Sequence, residues 1–340
     1  MSREQFGTEA SCLATAVWLT APTTFSLMSW PYVDITLMFY ATAAFYAFLK
    51  WRETDQKDWL IVMGIFCGFC GGVKYTAVAI PIALALSIIW IQRKNGIGGI
   101  IRRLTFVATP ALLLVLPWLI RNVITTGNPV YPFFFAEAKF WDEWWRWWYD
   151  LPGTGLASSA PWRLATAGLE ATIAGTEGTG FYDATIGPFL LSLLLLLPFV
   201  WRKFSAEQRA VMGHMLLFFG VNYARWLNGL ARSALLFQAR LLFFVFGITA
   251  VFGGATLAKI FSLKHPALDV GWLARSVFNL TLFLLLLNYG LTVTAINPLQ
   301  AIVGLEAESS YLTRQLGDYH TMMEEGVNSL PDAASVVMLW

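Results

Sequence analysis

The side chains with chemistry to offer are ionisable groups standing where apolar runs begin or end. Lys74 closes one such run within Phe66–Thr76 (FCGFCGGVKYT), Arg121 closes a second, and Arg240 opens a third in Phe237-Gln238-Ala239-Arg240-Leu241-Leu242. A cation at the edge of hydrocarbon is costly unless it snorkels to the interface or meets an anion. Independent snorkelling is one reading of all three. The other is convergence on a phosphate or pyrophosphate, with arginine supplying bidentate bonds and lysine a point charge. Arg240 favours the second, because a cation at a helix N-terminus opposes the dipole and calls for an anionic partner. Asp34 opens a run in Trp30-Pro31-Tyr32-Val33-Asp34. It reads as a first-turn acid favoured by the helix dipole, or as a carboxylate able to bind a metal, orient an acceptor or act as a base. Asp183 reads as a helix-start carboxylate or a surface residue.

Other chemistries find no support in the sequence. Cys67-x-x-Cys70 lies inside an apolar run without a second pair and reads as small packing residues. Phosphate loops, zinc-ligand sets, nucleophile elbows and nucleic-acid patches are missing. No metal ligand set and no nucleic-acid partner is expected. A divalent cation at a carboxylate is the one cofactor left open.

The elements that must position these groups are membrane helices. Hydrophobic residues make up 57% of the 340, charged residues 13%, and the mean hydropathy is +0.59. A water-soluble domain could not hide that much apolar surface. The 16 tryptophans suit a chain with long stretches at the bilayer interface. The expected fold is an all-α polytopic membrane protein of about nine transmembrane helices. The runs are roughly 11–29, 32–49, 59–73, 75–91, 104–120, 186–201, 210–226, 239–258 and 273–296. The first is interrupted by Pro22. Gly64, Gly68 and Gly72 recur every four residues and clear one helix face for close approach of a neighbour.

Orientation follows from the basic residues. Alternate short loops carry Lys50, Arg52 and Lys57; Arg93, Lys94, Arg102 and Arg103; Arg202, Lys203 and Arg209; and Lys259, Lys264 and Arg275, with Arg3 at the amino terminus. The positive-inside rule places these loops in the cytoplasm and the carboxyl terminus outside. Asp34, Lys74, Arg121, segment 121–185 and Arg240 then share the outer face. Within 121–185, Gly127-Asn128-Pro129 signals a turn, and Phe133–Tyr149 mixes tryptophans with charges as an interfacial helix would. Pro188 suits the first turn of the next helix. From Asn297 the composition turns charged and amphipathic. Tyr311–Val327 reads as a helix, 328–334 as a turn and 335–340 as a strand, so residues 297–340 look like the start of a small α/β soluble domain after a membrane region of 1–296.

In order and wording these segments resemble bacterial membrane glycosyltransferases of the GT-C fold, the broad family of dolichyl-phosphate-mannose–protein mannosyltransferases and lipid A aminoarabinose transferases. The pieces carrying the resemblance are Tyr32-Val33-Asp34; Gly71-Gly72-Val73-Lys74-Tyr75-Thr76; Pro117-Trp118-Leu119-Ile120-Arg121-Asn122 with Gly127-Asn128-Pro129-Val130-Tyr131-Pro132; Tyr182-Asp183 with Ile186-Gly187-Pro188; Ala239-Arg240-Leu241-Leu242; and Asn328–Ala333. The resemblance implies transfer of a sugar from a polyprenyl-phosphate carrier to an acceptor on the outer face of a bacterial inner membrane. It implies that Lys74 and Arg240, joined by Arg121, bind the carrier phosphate, that Asp34 stands near the acceptor or metal site, and that Tyr75, Asn128, Tyr131 and Asp183 line the substrate groove. Such enzymes carry a key acid in the first outer loop. This chain offers Glu4 and Glu9, which the topology places in the cytoplasm, so the sequence reads as an internal piece of a longer protein. A non-catalytic binder of lipid-linked sugar, or an assembly subunit, is the competing expectation. A transporter ranks below both, since no internal repeat is visible and the charges gather at one face.

Overall fold

The computed structural model describes residues 1–29, 32–94, 96–133, 143–175, 185–264 and 268–331. Helix accounts for 83% of it, and no strand occurs among the described residues. The helices are α1 (Ser2–Phe6), α2 (Thr8–Leu19), α3 (Pro22–Ser29), α4 (Asp34–Thr54), α5 (Lys57–Val73), α6 (Ala79–Gln92), α7 (Gly96–Thr126), α8 (Glu143–Asp150), α9 (Leu156–Ser159), α10 (Arg163–Ile173), α11 (Pro188–Val200), α12 (Ala206–Arg232), α13 (Phe246–Phe261), α14 (Val270–Ile296), α15 (Leu299–Ile302), α16 (Glu308–Leu316) and α17 (Asp318–Thr321). Two 3-10 segments matter for the site, Tyr75–Val78 before α6 and Ala239–Val245 before α13.

Among the described residues four helical segments are long and apolar enough to cross a membrane: Tyr75–Gln92, Gly96–Thr126, Ala239–Phe261 and Val270–Ile296. The chain divides into two compact units, Met1–Phe278 and Asn279–Trp340.

In the first unit α13 is the core. It is apolar on every face and buried nearly throughout, with Phe246, Ile248, Phe252, Ala255 and Leu257 all enclosed. Small residues let its neighbours in. A side chain on Gly254 would strike the backbone of α2 at Ala10 and Ala14, and one on Gly253 would strike Leu193 of α11. By contrast α7 and α14 leave most of their apolar side chains uncovered, as helices facing lipid do.

Helices α4 and α5 form an antiparallel hairpin. Asp55 turns the chain in the left-handed conformation (φ 52°), and α5 starts two residues later. The glycines of α5 then seat α7. A Cβ on Gly64 would collide with the Val107 carbonyl and the Pro110 ring; one on Gly68 would lie 2.9 Å from both the Ala111 oxygen and Leu114 Cβ; one on Gly71 would lie 3.0 Å from Val115. Gly72 faces open space. The contact stripe is therefore Gly64–Gly68–Gly71 rather than the expected Gly64–Gly68–Gly72. The reason is that steps of four, then three, follow one helix face better than two steps of four at 3.6 residues per turn.

Several boundaries depart from the sequence reading. The first apolar run is two helices, since α2 ends at Thr20 and Pro22 restarts the chain as α3. Helix α11 does begin at Pro188, after Gly187 in a positive-φ conformation. The Gly- and Ala-rich stretch after Leu151 contains α10, whose Ala167, Gly168 and Ala171 are buried. Of the expected interfacial helix Phe133–Tyr149, residues 134–142 lie outside the described residues; Glu143–Asp150 is helical and exposes Trp144, Trp147 and Trp148.

In the second unit Arg314 pairs with Glu306 and donates to the Ile296 and Asn297 carbonyls, capping α14. The expected continuous helix 311–327 is interrupted at Gly317 (φ 54°), after which α17, a π-turn and a 3-10 turn follow. The expected strand at 335–340 lies outside the described residues.

Candidate functional site

Asp34 is the first residue of α4, and Val33 caps the helix without a side-chain bond. The free amides and dipole of that end favour a carboxylate there. Lys74 ends α5 in an extended conformation (φ −150°, ψ 138°), its amide still donating to the Cys70 carbonyl at 3.2 Å. The break frees the side chain from the helix surface. The start of one arm of a hairpin lies beside the end of the other, so Lys74 reaches Asp34: Nζ donates to Oδ1 at 2.6 Å.

The pair is asymmetric. Asp34 is 2% exposed, while the Lys74 side chain keeps 25% of its surface. Lys74 has three N–H donors and uses one on Asp34. Asp34 Oδ2 is buried and has no hydrogen-bond partner among the described residues. A buried acceptor left in that state costs about 1–3 kcal/mol, so this oxygen is suited to receive a donor from outside the chain.

Arg240 stands in the 3-10 segment before α13. Its Nε donates to Gln238 Oε1 at 2.8 Å, and its guanidinium lies 4.4 Å from the centre of the Tyr32 ring, two residues ahead of Asp34. The segment is tied to α12 by two side chains: Trp226 Nε1 donates to the Gln238 carbonyl at 3.0 Å and Arg225 Nη2 to the Leu241 carbonyl at 2.7 Å. Arg225 Nε is buried and has no hydrogen-bond partner among the described residues. Arg121 is exposed and rests 5.3 Å from Trp118 of its own helix. Among the described residues nothing joins it directly to the Asp34–Lys74 pair. The cations are thus engaged differently among the described residues: Lys74 by a carboxylate, Arg240 by Gln238 and a ring, Arg121 by a ring.

Tyr75 links Lys74 to α7. Its hydroxyl accepts from Asn122 Nδ2 at 2.8 Å and from Trp118 Nε1 at 3.0 Å, and its ring meets Phe133 edge-on at 5.5 Å. Asn128 is fully buried and spends its side chain inside the following turn: Oδ1 accepts from the Val130 amide at 2.9 Å and Nδ2 donates to the Phe133 carbonyl at 3.0 Å. Tyr131 is half-buried in the same turn. Asp183 lies outside the described residues.

The sequence reading singled out Asp34 and Lys74 without pairing them. The available signal was two consecutive apolar runs of similar length, 32–49 and 59–73, joined by a short polar segment. The same reading gave no role of their own to Tyr32, Trp118, Asn122 and Gln238, which carry no charge at neutral pH and entered only as parts of longer motifs.

Two further facts bear on the chemistry. Glu4 sits at the far end of α4, with Lys50 Nζ 3.2 Å from its carboxylate. Lys50 lies sixteen residue steps along the helix from Asp34, about 24 Å. One Asp34 oxygen is occupied by the Lys74 ammonium, and among the described residues no three His, Cys, Asp or Glu side chains come together around the other.

Residues 3–144 match the family model of a domain of unknown function (DUF8201), a stretch holding Asp34, Lys74, Tyr75 and Arg121. No curated protein and no solved structure matches the chain.

Proposed function

We propose that this chain is a membrane glycosyltransferase that moves a sugar from a polyprenyl-phosphate carrier to an acceptor on the outer face of a bacterial inner membrane. The observation that carries the reading is the Asp34–Lys74 pair, a buried carboxylate with one oxygen committed to an ammonium and the other without a partner among the described residues. Asp34 Oδ2 takes the proton of the acceptor hydroxyl as that oxygen attacks the anomeric carbon. The bond to the carrier phosphate breaks, the phosphate leaves with the electron pair, and the configuration inverts. The spare donors of Lys74 and the guanidinium of Arg240 stabilise the charge on the leaving phosphate.

The same reading takes all nine apolar runs as membrane spans, with the carboxyl terminus outside and residues 297–340 opening an outer soluble domain. Each run overlaps helix: the first overlaps two α-helices, and 75–91 and 239–258 each join a 3-10 segment to an α-helix. The contacts Glu4–Lys50 and Arg52–Glu207 gather residues assigned to the cytoplasm at the end of α4 opposite Asp34.

The test is sugar transfer in reconstituted membranes with Lys74→Ala and Arg240→Ala, each checked for folding. Loss of transfer in both is expected. Wild-type rates in both would remove the phosphate-clamp assignment.

A second reading, a non-catalytic protein that binds lipid-linked sugar, is favoured by the placement of Glu4. No acid from the amino terminus joins Asp34 among the described residues. Saturable polyprenyl-phosphate binding without turnover would select it.

A further inference from the structure

Tyr75 carries an arrangement that the proposed chemistry has not used. Its phenol oxygen accepts two hydrogen bonds, from Asn122 Nδ2 and Trp118 Nε1. Neither donor could change role. An indole N–H only donates. The Asn122 amide is oriented by the Pro129 carbonyl, which only accepts and takes the other hydrogen of the same nitrogen at 3.1 Å. Both lone pairs of the hydroxyl are therefore engaged, and its proton is the one bonding function it has left. Among the described residues no group receives that proton. A tyrosine hydroxyl ordinarily alternates between giving and accepting; this one is held as a donor.

The surroundings point to the ligand atom it serves. Tyr75 adjoins Lys74, and Asn122 adjoins Arg121, so cations flank both sides of the hydrogen-bonded group in sequence. Helix α7, which supplies both donors to Tyr75, has no acidic residue along its length. A fixed donor in basic surroundings gains most from a charged oxygen, since charge-assisted bonds are about twice as strong as neutral ones. We infer that Tyr75 is a directed hydrogen-bond donor to a phosphoryl oxygen, with Asn122 and Trp118 as the residues that aim it. This inference rests on the phosphate-carrier reading.

The experiment measures binding of three probes to the purified full chain in detergent: a short-chain polyprenyl phosphate, the matching polyprenol, and inorganic phosphate. Tyr75→Phe removes the proton and keeps the ring. It is expected to weaken polyprenyl-phosphate binding about tenfold, the size of one bond to a charged group, and to leave polyprenol binding unchanged. Asn122→Leu removes one of the two donors that hold the direction of the hydroxyl and should produce a smaller loss, about threefold. Combined with Tyr75→Phe it should add less than twofold. That variant also carries the test should Tyr75→Phe fail to fold.

Phosphate-lipid binding that falls in Lys74→Ala but stays within twofold of wild type in Tyr75→Phe would overturn the inference and leave the carrier reading standing. Wild-type protein that binds polyprenol as tightly as polyprenyl phosphate, or binds neither, would overturn both. Competition by inorganic phosphate at the same Tyr75-dependent site would assign recognition to the phosphate alone, and no competition would assign it to the lipid headgroup with its chain.

Discussion

At the scale of single residues, the Asp34–Lys74 contact makes each partner costly to remove alone. Lys74→Ala leaves a carboxylate that is 2% exposed without its counter-charge. Breaking a buried pair from one side costs about 3–5 kcal/mol. The lower end applies here, because Lys74 retains solvent contact. Thermal unfolding in detergent should show Lys74→Ala clearly destabilised and Asp34→Asn/Lys74→Ala partly recovered, since the second change removes the orphaned charge. A double variant no more stable than Lys74→Ala would mean that the pair contributes little. The comparison also separates loss of fold from loss of chemistry in the transfer assay. Asp34→Asn keeps the shape but removes the proton acceptor, so transfer should be abolished while carrier binding persists.

At the scale of elements, the α5–α7 contact is decided by which glycines meet a neighbour. Gly68→Ala places a methyl group 2.9 Å from the Ala111 carbonyl oxygen and should destabilise by about 1–3 kcal/mol, the usual range for overpacking. Gly72→Ala meets nothing within 4 Å and replaces the poorer helix former. It should be neutral, or stabilising by up to about 1 kcal/mol. Equal effects of the two substitutions would show that α7 does not seat on this face.

The other end of α4 is held to α12 by Arg52 and Glu207, and the hydrogen bond from Arg52 lowers the Glu207 pKa below its ordinary 4.5. A lowered carboxylate contributes stability that is present above pH 4.5 and fades as the pH falls through the folded-state value. Glu207 is largely exposed, so Glu207→Gln should cost under about 1 kcal/mol and the difference should shrink in high salt.

At the scale of the whole molecule, the proposed orientation sorts positions into two sets. In a cysteine-free background, single cysteines at Thr126 and Leu236 should react with a membrane-impermeant maleimide from outside the cell. Cysteines at Lys57 and Lys203 should react only after permeabilisation. The opposite pattern would invert the topology and move Asp34 and Lys74 to the cytoplasmic face.

The sequence by itself determined the class of protein and the list of residues worth watching. An apolar content that only a bilayer could cover leaves helices as the element, and ionisable groups stand out against it because they are few. It also marked the breaks, with Pro22 splitting the first run and Pro188 starting α11. What needed tertiary structure was partnership. Asp34 and Lys74 are forty residues apart, and their contact depends on how two helices align around Asp55. That α7 is the helix seated on Gly64, Gly68 and Gly71 also needed the packing, since helix periodicity favours Gly71 over Gly72 but names no neighbour. Tyr75, Trp118 and Asn122 carry no charge, so their chemistry arises from the geometry that fixes a proton's direction. Composition and periodicity describe one residue or one helix at a time, whereas a site is a relation between helices, set by the packing of side chains distant in sequence.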